Sequence, residues 1–177
     1  MVAGEGPTGH RSRGRRASVL GSLVFLVVAP GAVAGLIPWW ITRWRVEAPL
    51  LGWAGRIVGG LLVAAGVLVL LDSFARFALE GRGTPAPIAP TERLVVSGLY
   101  RHVRNPMYLA VLSIIFGQAL LFGSTTLLWY GAVFSLAVHA FVVLYEEPTL
   151  RRQYGAEYDR YCGAVRRWWP SVGGYEV

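Results

Sequence analysis

The 177-residue sequence contains no lysine, a single cysteine (Cys162), two methionines and only 15% charged residues. Each shortage excludes something. One thiol rules out an internal disulfide framework and any multi-cysteine zinc site, so no metal-ligand set is expected. So little charge, against about 25% in an average soluble domain, makes an ordinary water-soluble domain a poor fit. Disorder is excluded for the body of the chain, because 54% of residues are hydrophobic and 12% aromatic, more than enough apolar surface to drive burial. The 17 basic residues, all arginine, outnumber 10 acidic ones for a net charge of +7. That balance would suit nucleic acid if the arginines formed one patch, but they fall between apolar runs, so no nucleic-acid partner is expected.

Long uncharged stretches are what the sequence has in abundance. Ala17 to Thr42 carries no charge, and Leu50 to Leu71 carries only Arg56; each exceeds the roughly 20 apolar residues that cross about 30 Å of hydrocarbon. Gly59, Gly60 and Gly66 offer small faces on which another helix can pack closely. Pro106 to Tyr145 is forty residues without a formal charge, broken midway by Gly123-Ser124-Thr125-Thr126, which reads as a tight helical hairpin. The predicted fold class is therefore all-α and polytopic. Four transmembrane helices are expected at about 17–42, 50–79, 106–123 and 125–146. Residues 1–16 are expected to form a disordered basic arm and residues 17–177 a single membrane domain, whose cytoplasmic C-terminal segment, 148–170, carries an amphipathic helix.

Arginine placement sets the orientation. Arg11, Arg13, Arg15 and Arg16, then Arg82, Arg93, Arg101 and Arg104, then Arg151, Arg152, Arg160, Arg166 and Arg167 all fall on one side of such a model, and positive flanks mark the cytoplasm. Both termini are expected there, in a bacterial cytoplasmic membrane. The far side has Arg43, Arg45 and Arg56 with Glu47. Ala32-Val33-Ala34 has the look of a leader-cleavage site, but the apolar stretch continues past it to Ile41 and Trp39-Trp40 suit an interfacial anchor.

The cytoplasmic segments carry the chemistry. After a Gly/Pro-rich linker at residues 81–92, Asn105 is placed to cap the third helix and Pro106 suits its first position. Its free N–H groups, with Arg104 adjacent, would hold a carboxylate. At the other end of the hairpin, Pro148 is expected to end the fourth helix just after Glu146-Glu147. Two carboxylates there would oppose the helix dipole and call for a cation, either a tail arginine or a bound cationic group. A hairpin brings the two ends together, so one pocket for a zwitterionic or cationic cofactor is expected. His139, two turns before Glu146, shares its face. Asp72 and Arg76 are spaced to pair with each other, with no chemistry assigned. Beyond Pro148 an apolar stripe of Leu150, Tyr154, Tyr158, Tyr161 and Val165 either lies on the membrane, anchored by Trp168-Trp169-Pro170, or folds over the pocket.

The run Gly98-Leu99-Tyr100 through Arg104-Asn105-Pro106-Met107-Tyr108, followed across the hairpin by Glu146-Glu147, Leu150, Tyr154-Gly155, Tyr158, Tyr161, Val165 and Pro170, resembles the isoprenylcysteine carboxyl methyltransferase and phospholipid methyltransferase superfamily over roughly residues 85–170. The resemblance implies an integral-membrane, S-adenosylmethionine-dependent methyltransferase, a one-carbon transferase whose lipophilic acceptor enters from the bilayer. By position, Leu94, Val95, Tyr100, Asn105, Pro106, Met107 and Tyr108 would surround the cofactor and Glu146 would face its ammonium or ribose. Arg104 would hold a carboxylate, and Glu147 would be the general base for an amine or thiol acceptor; a carboxylate acceptor needs none. Asn105 stands where many relatives have His, and Ala110 where they often have Gly. Eukaryotic carboxyl methyltransferases have an arginine one turn before the acidic pair where this chain has Val142, which weighs against a prenylcysteine substrate. The alternative classes are a non-catalytic membrane scaffold and a small transporter; the latter is disfavoured because spans one and three offer little that is polar at mid-membrane beyond Ser113 and Gln118.

Overall fold

Runs of aliphatic residues punctuated by a few prolines and glycines decide where helices start, bend and stop. The structure, a computed structural model, describes residues 28–79 and 94–175; the basic arm, the first part of the first expected span and the Gly/Pro-rich linker lie outside them. Among the described residues there are five main helices: α1 (Val28–Thr42), α2 (Gly52–Leu79), α3 (Pro106–Phe122), α4 (Thr125–Tyr154) and α5 (Ala156–Ala164). A single 3-10 turn, Gly98–Arg101, precedes α3. There is no strand among the described residues.

α2 and α4 are long and apolar enough to cross a membrane; α1 and α3 are apolar but shorter. The apolar part of α2, Gly52–Arg76, covers about 38 Å at 1.5 Å per residue. Leu61 and Leu68 of α2, and Trp129 and Leu136 of α4, stand exposed on the outside of the bundle. Such faces are stable in hydrocarbon and costly in water, and with the long apolar helices they mark a membrane protein.

The closest packing is antiparallel, between α2 and α3. A Cβ on Gly59 would come within 2.6 Å of the Gly117 carbonyl, and one on Gly66 within 2.7 Å of the Ala110 carbonyl, while Gly60 faces open space. Two of the three glycines singled out in the sequence therefore allow backbone contact, the usual way helices associate where no hydrophobic force drives them together. The hairpin forms as expected. Gly123 ends α3 in the left-handed region at φ 76°, and Ser124 Oγ caps α4 by accepting from the Leu127 N–H.

Proline shapes α1 and α4 in the same way. In α1 a π turn, Ala32–Leu36, comes one residue before Pro38; in α4 a π turn, Val142–Glu146, comes one residue before Pro148. The residue between turn and proline reaches back five positions, Ile37 N–H to Ala32 O and Glu147 N–H to Val142 O, and the extra residue moves the carbonyls that would otherwise meet the proline ring. In α1 the carbonyls so released are taken by side chains: Tyr130 donates to Val33 O at 2.8 Å and Gln118 Nε2 to Ala34 O at 2.6 Å. Gln118, the rare polar residue in α3, thus fastens α1 to the bundle.

The α4 turn corrects two expectations. Pro148 does not stop the helix: Glu147 is helical at φ −61°, ψ −42°, and α4 runs on to Tyr154. Glu146 and Glu147 therefore sit inside a helix, where no dipole terminus opposes them. The stripe from Leu150 to Val165 is not carried on one helix either, because Gly155 at φ 53°, ψ −129° breaks α4 from α5.

Candidate active site

The loop from Leu94 to Asn105 is held on two sides before it enters α3. On the α2 side, Arg76 binds both oxygens of Asp72 at 2.8 and 3.0 Å and donates to Ser97 Oγ at 3.2 Å. Gly98, at φ +55°, lies so close to that guanidinium that a Cβ would overlap it. Tyr100 is buried, with its hydroxyl beside Ser73. The Asp72–Arg76 pair, given no role from the sequence, thus supports the Gly98-Leu99-Tyr100 turn.

The chain's tail holds the other side. Tyr161 donates to the Tyr100 carbonyl at 2.6 Å, the Arg104 N–H to the Arg166 carbonyl at 3.0 Å, and the Ser171 N–H to the His102 carbonyl at 2.7 Å. Tyr158, Tyr161 and Val165 are buried together with Leu94, Val96, Leu150 and Tyr154 packed around them. Of the two placements open for the aromatic stripe, the structure shows the fold-over. Burial pushes the Tyr158 and Tyr161 hydroxyls above the ordinary phenol range.

Adjacent carboxylates in α4 then take different partners. Glu147 is buried and binds Arg167 through both oxygens, at 2.6 and 2.9 Å, and Arg104 Nη1 through Oε1 at 3.0 Å. The same Arg104 nitrogen lies 2.9 Å from Cys162 Sγ, and Arg104 Nε is buried without a hydrogen-bond partner. Glu146 Oε2 accepts from the Tyr108 hydroxyl at 2.8 Å, and Tyr100 lies within the electrostatic reach of both. Two guanidiniums against one carboxylate leave one face of the site with a net positive charge, while the neighbouring residue presents a carboxylate and a phenol.

The structure therefore brings together Arg104 with Glu147, and Tyr100 with Tyr108 and Glu146. Val95, Asn105 and Pro106 are buried in the loop and first turn, while Leu94 packs on the tyrosines of α5 and Met107 on the Leu70–Phe74–Ala110 core. Asn105 does not cap α3 with its side chain; its Nδ2 donates instead to the Arg167 carbonyl at 3.1 Å, joining the loop to the tail. His139 is exposed, and its Nδ1 accepts from Trp168 Nε1 at 3.0 Å, so it anchors the tail. Arg167 and Cys162 were not read as site residues. A pairing across twenty residues, made possible by the break at Gly155, leaves no periodic signature.

Residues 54–157 match the family model described as phospholipid methyltransferase. The chain belongs to that family. The matched segment contains the loop, the hairpin and both carboxylates, and membership places this phospholipid methyltransferase family protein among methyltransferases of membrane substrates. An uncharacterized protein from Haemophilus influenzae is 40% identical over 63 residues, covering 35% of this chain and 98% of that protein. No solved structure matches.

Proposed function

We propose that the protein is an S-adenosylmethionine-dependent methyltransferase, with its donor site at the cytoplasmic face and its lipophilic acceptor drawn from the bilayer. In this reading the chain crosses the membrane four times with both termini cytoplasmic. The observation that carries it is the pairing of opposite charges at consecutive positions of α4: an Arg104–Glu147–Arg167 cluster of net positive charge beside a Glu146–Tyr108 pair. A zwitterionic amino-acid group needs such poles a few ångströms apart, a donor set for its carboxylate and a carboxylate for its ammonium. Arg104 Nε, buried and unpartnered, is a donor awaiting an acceptor, and buried donors are seldom left so. The residues present therefore fit the methyl donor.

Arg104 would hold the carboxylate of that donor and Glu146 its ammonium, with Val95, Tyr100, Asn105, Pro106 and Tyr108 forming the surrounding wall; Leu94 and Met107 back it from the α5 and core sides. When bound, S-adenosylmethionine supplies an electrophilic methyl on a sulfonium. The chain's part is to position the reactants in line and exclude water. The tail, laid over the loop and tied to Glu147, supplies that exclusion. For a carboxylate acceptor no base is needed. For an amine or a thiol, Glu147 could take the proton only after Arg167 lets go, since both its oxygens are occupied, so for those acceptors alone tail release would precede proton transfer.

The test is transfer of labelled methyl from S-adenosylmethionine to extracted membrane lipid by the purified full-length protein. Label in the lipid phase, lost in Glu146→Gln, supports the reading; a protein that binds neither S-adenosylmethionine nor S-adenosylhomocysteine overturns it in favour of a non-catalytic scaffold.

A further inference from the structure

At the end of the bundle away from Arg104, α1, the turn after it and the start of α2 build a second polar site. α3 separates the two: its seventeen residues put Phe122 about 25 Å from Pro106. Trp39, Trp40, Trp44 and Trp53 are all exposed there and interleave with Arg43, Arg45 and Arg56. The Arg43 guanidinium stacks over the Trp39 ring at 4.5 Å and that of Arg56 over Trp53 at 5.0 Å. Interfacial tryptophans alone are an ordinary membrane belt. Three arginines against the single acid Glu47, on the side that should be poor in positive charge, are not.

Among the described residues none of these arginines forms an ion pair. Arg56 Nη2 donates to the backbone carbonyl of Glu47 at 2.9 Å, leaving its Nε buried without a partner. The turn itself is strained, since Arg43 and Trp44 are consecutive non-glycine residues at φ 51° and 50°, a conformation that persists only where the surroundings enforce it. Here they do. The Arg43 N–H bonds the Trp39 carbonyl at 2.6 Å, Trp44 Nε1 donates to Gln118 Oε1 at 3.1 Å, and the Trp44 ring stacks on Phe122. Within that turn Arg43 folds back over Trp39.

We propose that this tryptophan–arginine collar binds the headgroup phosphate of an anionic phospholipid in the leaflet opposite the carboxylate site. A guanidinium stacked on an indole keeps its in-plane N–H donors for phosphate oxygens, and the exposed indoles cover the glycerol and upper chain. Three unpaired arginines favour a headgroup without a cation of its own.

The experiment is native mass spectrometry of the full-length protein released from micelles containing equal phosphatidylglycerol and phosphatidylcholine. The expected result is several-fold preferential retention of phosphatidylglycerol, reduced to the phosphatidylcholine level in Arg43→Gln/Arg56→Gln and preserved in Arg160→Gln. Should the double variant not fold, the single variants Arg43→Gln and Arg56→Gln are read in the same way, each expected to lose part of the preference. Equal retention of the two lipids, an unchanged preference in the double variant, or full displacement by inorganic phosphate would each overturn the proposal, the last by showing a site for a soluble anion.

Discussion

Glu147, inside α4, and Arg167, twenty residues later in the tail, form a two-bond ion pair of 2.6 and 2.9 Å around a carboxylate that is 4% exposed. The pair fixes the tail over the loop that leads into α3, and Arg104 shares the same carboxylate. A buried carboxylate with two guanidiniums is asymmetric in its failures: removing the shared partner leaves uncompensated charge, removing one of two does not.

Glu147→Ala is accordingly expected to destabilise the protein by about 3–5 kcal/mol and Arg167→Ala by roughly 1–2 kcal/mol, because the Arg167 side chain is 32% exposed and Arg104 remains with Glu147. Arg167→Lys should recover only part of the loss, since an ammonium cannot make the forked contact. Thermal unfolding in detergent, followed by tryptophan fluorescence, reads all three.

Glu146 should behave differently from its neighbour. Glu146→Gln is expected to weaken S-adenosylhomocysteine binding by tenfold or more with little change in melting temperature, whereas Tyr108→Phe, which removes one hydrogen bond worth about 1 kcal/mol, should cost less than tenfold. Calorimetric titration distinguishes them, and equal affinities in wild type and Glu146→Gln would remove Glu146 from the donor site.

Gly98→Ala is expected to abolish methyl transfer, since the new Cβ meets the Arg76 guanidinium and the backbone is left-handed at φ +55°. In a double-mutant cycle with Arg76→Ala the two effects should be non-additive, because removing Arg76 relieves the overlap while leaving the backbone penalty of about 1 kcal/mol. Additive losses would mean that the loop does not rest on Arg76.

The α2–α3 seam makes a controlled comparison possible. Gly59→Leu is expected to prevent folding into the bundle and Gly60→Leu to be tolerated, since the first Cβ meets the Gly117 backbone and the second nothing within 4 Å. Protease resistance of the reconstituted protein separates the outcomes.

Much of this could be read from the residues, for identifiable reasons. Gly123-Ser124 announced the hairpin because a left-handed stop followed by a hydroxyl cap is a local matter, and Asp72–Arg76 was visible because helical spacing alone brings the two together. Arg104 could be placed beside the acidic pair once the hairpin was recognised. What failed was the rule that proline ends a helix, because a π turn one residue upstream is set by packing and by who takes the freed carbonyls. Arg167 was missed for a related reason: the tail doubles back at Gly155, and only the folded chain shows which of five tail arginines reaches Glu147.

The π turn at Val142–Glu146 has a consequence for how the helix can change. Such a turn amounts to one residue inserted into a regular helix and absorbed in one wide turn, so that everything beyond it sits about 100° behind the position an unbroken helix would give it. Straightening it into an even spiral without removing a residue, as replacing Pro148 would permit, would swing Glu146, Glu147 and the tail to a new compass bearing, away from Arg104 and Tyr108, whereas deleting one residue within it would leave them facing as they do. The face that bears the two carboxylates is thus phased by one surplus residue rather than by composition, so that straightening the turn would be more damaging than shortening it.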